Sequence, residues 1–90
     1  MTSEKVQEAI NIYRKFFQDC GVGKIDYPHD EMLDIPRSGL EHCHSMLDKM
    51  EIFLKEGRLE KAFRWLGFIQ GCLWFNGSYV LADLKDHNRP

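Results

Sequence analysis

The chain lacks a long apolar run. Its longest, Trp65 to Phe75, spans 11 residues and contains Gln70, against the about 20 that a bilayer-spanning helix needs. No membrane crossing is expected. Cysteine is scarce and odd in number: Cys20, Cys43 and Cys72 lie 23 and 29 residues apart, without Cys-x-x-Cys spacing. That fits neither a disulfide framework nor a zinc knuckle, and it points to free thiols in a reducing cytoplasm. An excess of one charge is missing too, with 12 basic residues against 14 acidic ones and a net charge of −2. Such a balance argues against coating duplex nucleic acid by phosphate neutralisation. The opening Met1-Thr2-Ser3-Glu4-Lys5 is polar and leads into no apolar export segment, so a cytoplasmic protein is expected. No internal repeat or low-complexity tract interrupts the sequence.

What is present is apolar bulk at helical spacing. Residues are 43% hydrophobic and 12% aromatic, too rich for a disordered tail. Area scaling gives a folded surface of roughly 5,500 Å² against about 15,400 Å² unfolded, enough to bury about 64% in one small core. The expectation is one helical domain over residues 1–90. Val6, Ala9, Ile10, Tyr13, Phe16 and Phe17 recur with a helical period, with Ser3 as N-cap, Glu4 in the first turn and Gly21 past the end. These predict a helix over about 4–19. Ser38 and Glu41 have capping-box spacing, and Leu40, Cys43, Leu47, Met50 and Leu54 then form a stripe ending at Gly57. A second helix over about 38–56 follows, with Glu51 and Lys55 spaced for an i,i+4 pair. Gly57 leaves so little room before Leu59 that a third helix, about 58–75, is predicted to fold back as an antiparallel hairpin. Asn76-Gly77-Ser78 reads as a turn, and Ser78 then caps a short fourth helix over about 79–86, with Val80, Leu81 and Leu84 as its apolar residues. The end, His87 to Pro90, is expected to fray. The fold class is all-α.

Residues 21–37 carry Gly21, Gly23, Pro28, Pro36 and the acids Asp26, Asp30, Glu31 and Asp34 without any period. They predict an irregular loop draped over the core through Val22, Ile25, Tyr27, Met32, Leu33 and Ile35. The acids lack calcium-loop spacing, and Gly21-Val22-Gly23-Lys24 lacks the rest of a phosphate-binding loop. His42 and His44 point about 200° apart on a helix, whereas metal-binding pairs use i,i+4 spacing. His44 and Asp48 share a face and suit a surface hydrogen bond. No metal, no cofactor and no catalytic set of nucleophile, base and orienter is expected.

The third helix carries Gly67 and Gly71 on one face, at a cost of about 1 kcal/mol each relative to alanine. Two readings offset that cost: close approach of two helix backbones, or a shallow floor for a flat ligand. In the second, Trp65 and Phe68 flank the floor, Arg58 and Arg64 face phosphates, Gln70 and Asn76 supply edge hydrogen bonds, and Tyr13 and Lys24 add stacking and charge. The helix is apolar on nearly every side from Trp65 onward, so another copy of the chain is expected to cover it.

Leu59-Glu60-Lys61-Ala62-Phe63-Arg64-Trp65 carries the pattern Leu-Glu-x-Ala-x-x-Trp. In this the chain resembles the helical-hairpin domain of phage sponges that sequester cyclic-nucleotide signals of bacterial defence (the anti-CBASS and anti-Thoeris sponge proteins). With Gly39-Leu40-Glu41-His42, Arg64 to Gly71 and Asp86-His87-Asn88-Arg89, the whole chain looks like a small accessory protein of a large tailed phage. The resemblance implies a non-enzymatic homo-oligomer in the host cytoplasm that binds a cyclic di- or oligonucleotide at protomer interfaces without cleaving it. It also implies that a tyrosine of the first helix and a lysine beyond it bind the signal, here Tyr13 and Lys24. The alternative is a protein–protein inhibitor or adaptor that docks on a host enzyme.

Overall fold

The computed structural model describes residues 1–33 and 36–89, and within them it holds helices and no strand. The helices are α1 (Ser3–Asp19), α2 (Pro36–Lys55), α3 (Leu59–Phe75) and α4 (Leu81–Asn88). Asp34, Ile35 and Pro90 lie outside the described residues, so the expectation that Ile35 covers the core goes unanswered.

Three of the four helices end in the same way. Gly21, Gly57 and Gly77 have φ of 68°, 74° and 75°, and each lets two amides bond backwards onto the helix it ends. The Gly57 amide donates to Leu54 O at 3.2 Å and the Arg58 amide to Phe53 O at 2.8 Å. Gly21 with Val22, and Gly77 with Ser78, repeat this double closure. An L-residue with a Cβ resists that left-handed conformation, which is why glycine stands at each position.

The starts differ from their expected places. Thr2, not Ser3, caps α1, its Oγ1 accepting from the Lys5 amide at 3.2 Å. Helix α2 begins at Pro36, two residues before Ser38, so Ser38 lies buried within the first turn instead of capping it. Proline suits that first position because its missing N–H has no helical partner there. Glu41 turns to the loop, where its Oε1 accepts from the Tyr27 hydroxyl at 2.9 Å. Val80 in extended backbone, not Ser78, precedes α4.

The core forms where the apolar stripes meet. Val6, Ala9, Ile10, Tyr13 and Phe17 of α1, Cys43, Leu47 and Met50 of α2, and Ala62, Leu66, Ile69 and Leu73 of α3 are all but closed to solvent, joined by Val22 from the loop and Leu84 from α4. Burying each large aliphatic side chain contributes about 1.5–3 kcal/mol. The most extensive packing is between α2 and α3, with α1 against α2, α3 and α4. The surface of 5706 Å² is close to the size-based expectation.

Charge ties α1 to α2. Arg14 donates to Asp48 at 2.9 Å and also to Glu51, Gln7 donates to Glu51 at 3.0 Å, and Lys24 reaches Asp48 at 3.1 Å. Glu51 is thus engaged across the helix boundary instead of within α2, where Lys55 was its expected partner. Hydrogen bonds from Arg14 hold the Glu51 carboxyl below its ordinary range. Partial burial works against the Asp48 charge, but hydrogen bonds from Lys24 and Arg14 outweigh it and lower that carboxyl too.

The carboxyl-terminal segment is held. Gln70, 8% exposed, donates to the Tyr13 hydroxyl at 3.0 Å and to Asn88 Oδ1 at 2.7 Å, while Asn88 Nδ2 returns a bond to Gln70 Oε1 at 3.0 Å. The Tyr13 hydroxyl lies 2.8 Å from His87 Nδ1, and Tyr79 packs on both rings. The expected fraying is replaced, through Asn88, by a closed polar network. Of the expected apolar trio in α4, only Leu84 enters the core, whereas Val80 and Leu81 are exposed.

Candidate functional site

The site begins where the loop leaves the α1 cap. Val22 enters the core, and its carbonyl accepts from His44 Nδ1 at 2.8 Å, which places the proton on that nitrogen. His44 is 3% exposed and packs on Phe17 at 5.1 Å. It is a core residue, and the surface bond to Asp48 does not form because Asp48 takes Arg14 and Lys24 instead. His44 Nε2 is buried without a hydrogen-bond partner among the described residues.

Beyond Val22 the loop lies along α2. The Ile25 amide donates to Glu41 O at 3.2 Å, the Tyr27 amide to His42 Nδ1 at 3.1 Å, and Lys49 Nζ to Asp26 Oδ2 at 2.8 Å. The Lys49 hydrogen bond lowers the Asp26 carboxyl below its ordinary range. Loop residues Ile25, Met32 and Leu33 do not cover the core as expected: they are 41%, 94% and 44% exposed. What they leave beside α2 and α3 is an open cavity of about 490 Å³.

The cavity's apolar lining includes Pro28, Leu33, Met46, Trp65 and Phe68, and its polar lining Asp26, His29, Glu31, His42, Lys49 and Arg64. Trp65 is fixed edge-on to Phe53, with ring centroids 4.8 Å apart, whereas Phe68 is 55% exposed and free to contact a guest. Apolar walls with a few charged groups suit a small ligand, and two aromatic rings beside the exposed Arg64 favour one that is flat and carries an anionic group.

Of the eight residues singled out for ligand binding, the cavity brings together Arg64, Trp65 and Phe68. Tyr13 and Gln70 are elsewhere, closed inside the network with His87 and Asn88. Burial pushes the Tyr13 phenol up to about 12, so it remains a neutral hydroxyl. Lys24 pairs with Asp48, and Arg58 lies over the Phe53 ring at 5.2 Å. Asn76 caps α3, its side chain directed at Cys72 O.

The two glycines of α3 separate as well. A Cβ built on Gly67 or Gly71 meets nothing within 4 Å, so close helix approach inside the chain does not account for them. Gly71 lines a second, shallower recess of about 230 Å³ with Trp74, Leu81 and Lys85. Phe68, Trp74 and Phe75 stand exposed along α3, so the chain's own helices cover only one side of it. The thiols of Cys43 and Cys72 face each other across α2 and α3. The Cys43 S–H bonds to Cys72, which raises the former and lowers the latter.

Asp26, His29, His42, Lys49 and Tyr27 belong to the cavity without having been expected there. The available signal was the spacing Asp-x-x-His ahead of a helix bearing a third ligand-type residue, His42. Comparison with protein-family models, curated proteins and solved structures finds no match for this chain.

Proposed function

We propose that this protein is a non-enzymatic binding protein that captures a flat, anionic small molecule, of which a nucleotide is the leading class, in the cavity between the loop, α2 and α3. One observation carries the reading: Trp65 and Phe68 line the same cavity as the exposed Arg64. The rings offer faces for a base and the Arg64 guanidinium offers donors for phosphate oxygens. Within this reading the resemblance to the sponges narrows the ligand to a cyclic nucleotide and the setting to phage counter-defence in the host cytoplasm. It also makes α2 and α3 an antiparallel hairpin within a homo-oligomer, in which the exposed Trp74 and Phe75 meet another copy.

A second reading has its own observation. Trp74, Phe75, Val80 and Leu81 are all more than half exposed, an apolar surface of the kind that docks on a partner protein. There the protein is an inhibitor or adaptor of a host enzyme.

Thermal denaturation in the presence of a chelator, against a panel of cyclic di- and trinucleotides, separates the two. Capture predicts a higher Tm with one member of the panel, and recovery of that nucleotide chemically unchanged after heating. Arg64 is exposed, so Arg64→Ala is expected to abolish that shift while leaving the fold and the oligomer intact. A flat response across the panel, with a stable host-protein complex in a pull-down, sinks capture in favour of docking.

A further inference from the structure

We propose that Asp26, His29 and His42 form a binding site for a divalent transition-metal ion of the zinc class, at the edge of the cavity and with open coordination positions. Among the described residues this is the group of three whose ligand atoms converge, each within 4.8 Å of the others. Asp26 Oδ1 lies 3.6 Å from His29 Nε2 and 3.7 Å from His42 Nδ1. Those separations are too long for good hydrogen bonds. They are near the roughly 3.4 Å between neighbouring ligand atoms that a tetrahedral ion with bonds of about 2.1 Å requires.

The backbone creates the arrangement. The loop is pinned to α2 by the Ile25 amide on Glu41 O and by the Tyr27 hydroxyl on Glu41. That pinning carries Asp26, and His29 three residues later, over the second turn of α2, where His42 stands. Asp26 is oriented by Lys49, which takes Oδ2 and leaves Oδ1 to ligate; ligating carboxylates commonly have such a hydrogen-bonded partner. His42 accepts the Tyr27 amide on Nδ1, so that nitrogen carries a lone pair in the neutral ring. An ion bound there takes the place of the half-buried Tyr27 amide. Exposed His29 closes the last few tenths of an ångström by side-chain rotation.

The donor set selects the metal class. Two imidazoles and one carboxylate suit zinc and its neighbours, whereas calcium and magnesium call for oxygen ligands. Three protein ligands leave at least one position for water or a ligand oxygen, and His29, His42 and Asp26 all line the cavity that holds Arg64 and Trp65. The site stands apart from the nucleotide reading, because it is tested with metal alone, whereas nucleotide capture is tested in the presence of a chelator.

The test titrates Zn²⁺ into the full chain carrying Cys20→Ser, which removes the exposed thiol, with the histidine rings followed by nitrogen NMR. The expected result is saturation at one ion per chain, with the ring nitrogens of His29 and His42 shifting while those of His44 and His87 hold still. His29→Ala and Asp26→Asn, both at exposed positions, are expected to weaken affinity at least about tenfold without altering the circular dichroism. His42→Ala also removes the Tyr27 anchor, so the two exposed variants decide. Absence of saturation, shifts centred on His87, or undiminished affinity in His29→Ala overturns the proposal.

Discussion

Two polar clusters in this small protein have opposite fates. Around Tyr13, Gln70, His87 and Asn88, side chains from α1, α3 and α4 bond mainly to one another, with Gln70 buried and its amide engaged on both sides. Around Asp26, His29, His42 and Lys49, comparable groups line an open cavity: Lys49 takes Asp26 Oδ2 and the Tyr27 amide takes His42 Nδ1, while Asp26 Oδ1 and His29 Nε2 stand 3.6 Å apart, beyond good hydrogen-bond distance. The first cluster spends its hydrogen bonds on closing the chain; the second is bonded only in part and stays open to solvent. Polarity alone therefore does not mark a site. What separates the clusters is whether the bonded groups are shut inside the chain or left lining an opening.

The largest break in that contrast comes from Tyr13. Tyr13→Ala is expected to cost about 3–5 kcal/mol in urea denaturation, through the cavity it leaves in the core. Tyr13→Phe keeps the ring and strands Gln70 and His87, for about 1–2 kcal/mol. A cost near zero for the phenylalanine variant would mean that the network is not closed by this hydroxyl.

A smaller effect is expected between the two extremes, at the half-exposed bridge of Arg14 to Asp48 and Glu51. Both carboxyls sit below their ordinary values of 3.8 and 4.5 in the folded state. Their contribution is complete above those values and is lost as pH falls through the lowered folded ones. Stability should thus decline with acidification below about pH 4.5, and Arg14→Ala should flatten that decline. At neutral pH, with solvent screening, the variant costs only about 0.5–1 kcal/mol. A pH profile identical to the parent's would count against the bridge.

The smallest change is expected at the open cluster. His29→Ala and Arg64→Ala should each leave stability within about 0.5 kcal/mol of the parent, since both side chains are largely exposed. A loss of several kcal/mol would move these residues into the structural class and erase the contrast.

Helices were legible in the sequence because their periods and glycine stops are local. The stripe from Val6 to Phe17 and the three left-handed glycines fall where spacing puts them. Helix starts were less legible: Thr2 and Ser3 are both competent caps, and Pro36 starts α2 ahead of a plausible capping box. For the site, Arg64, Trp65 and Phe68 were readable because one helix carries all three. Tyr13 and Gln70 are buried partners 57 positions apart, and no periodicity announces such a bond. The Asp26, His29 and His42 cluster was hidden for the same reason. Tested against His44 on its own helix, His42 has no metal-binding partner; it acquires one only when the loop folds back.

The glycine helix ends suggest a use in chemical synthesis. A backbone held at φ of 68° to 75° is where a mirror-image amino acid sits at ease, since the left-handed region that crowds an L-residue is the right-handed one for its mirror image. D-alanine at these points would narrow the freedom of the unfolded chain while fitting the folded one, the reverse of what L-alanine does there. The protein thus offers three sites for stiffening by inverted chirality, away from the cavity lining.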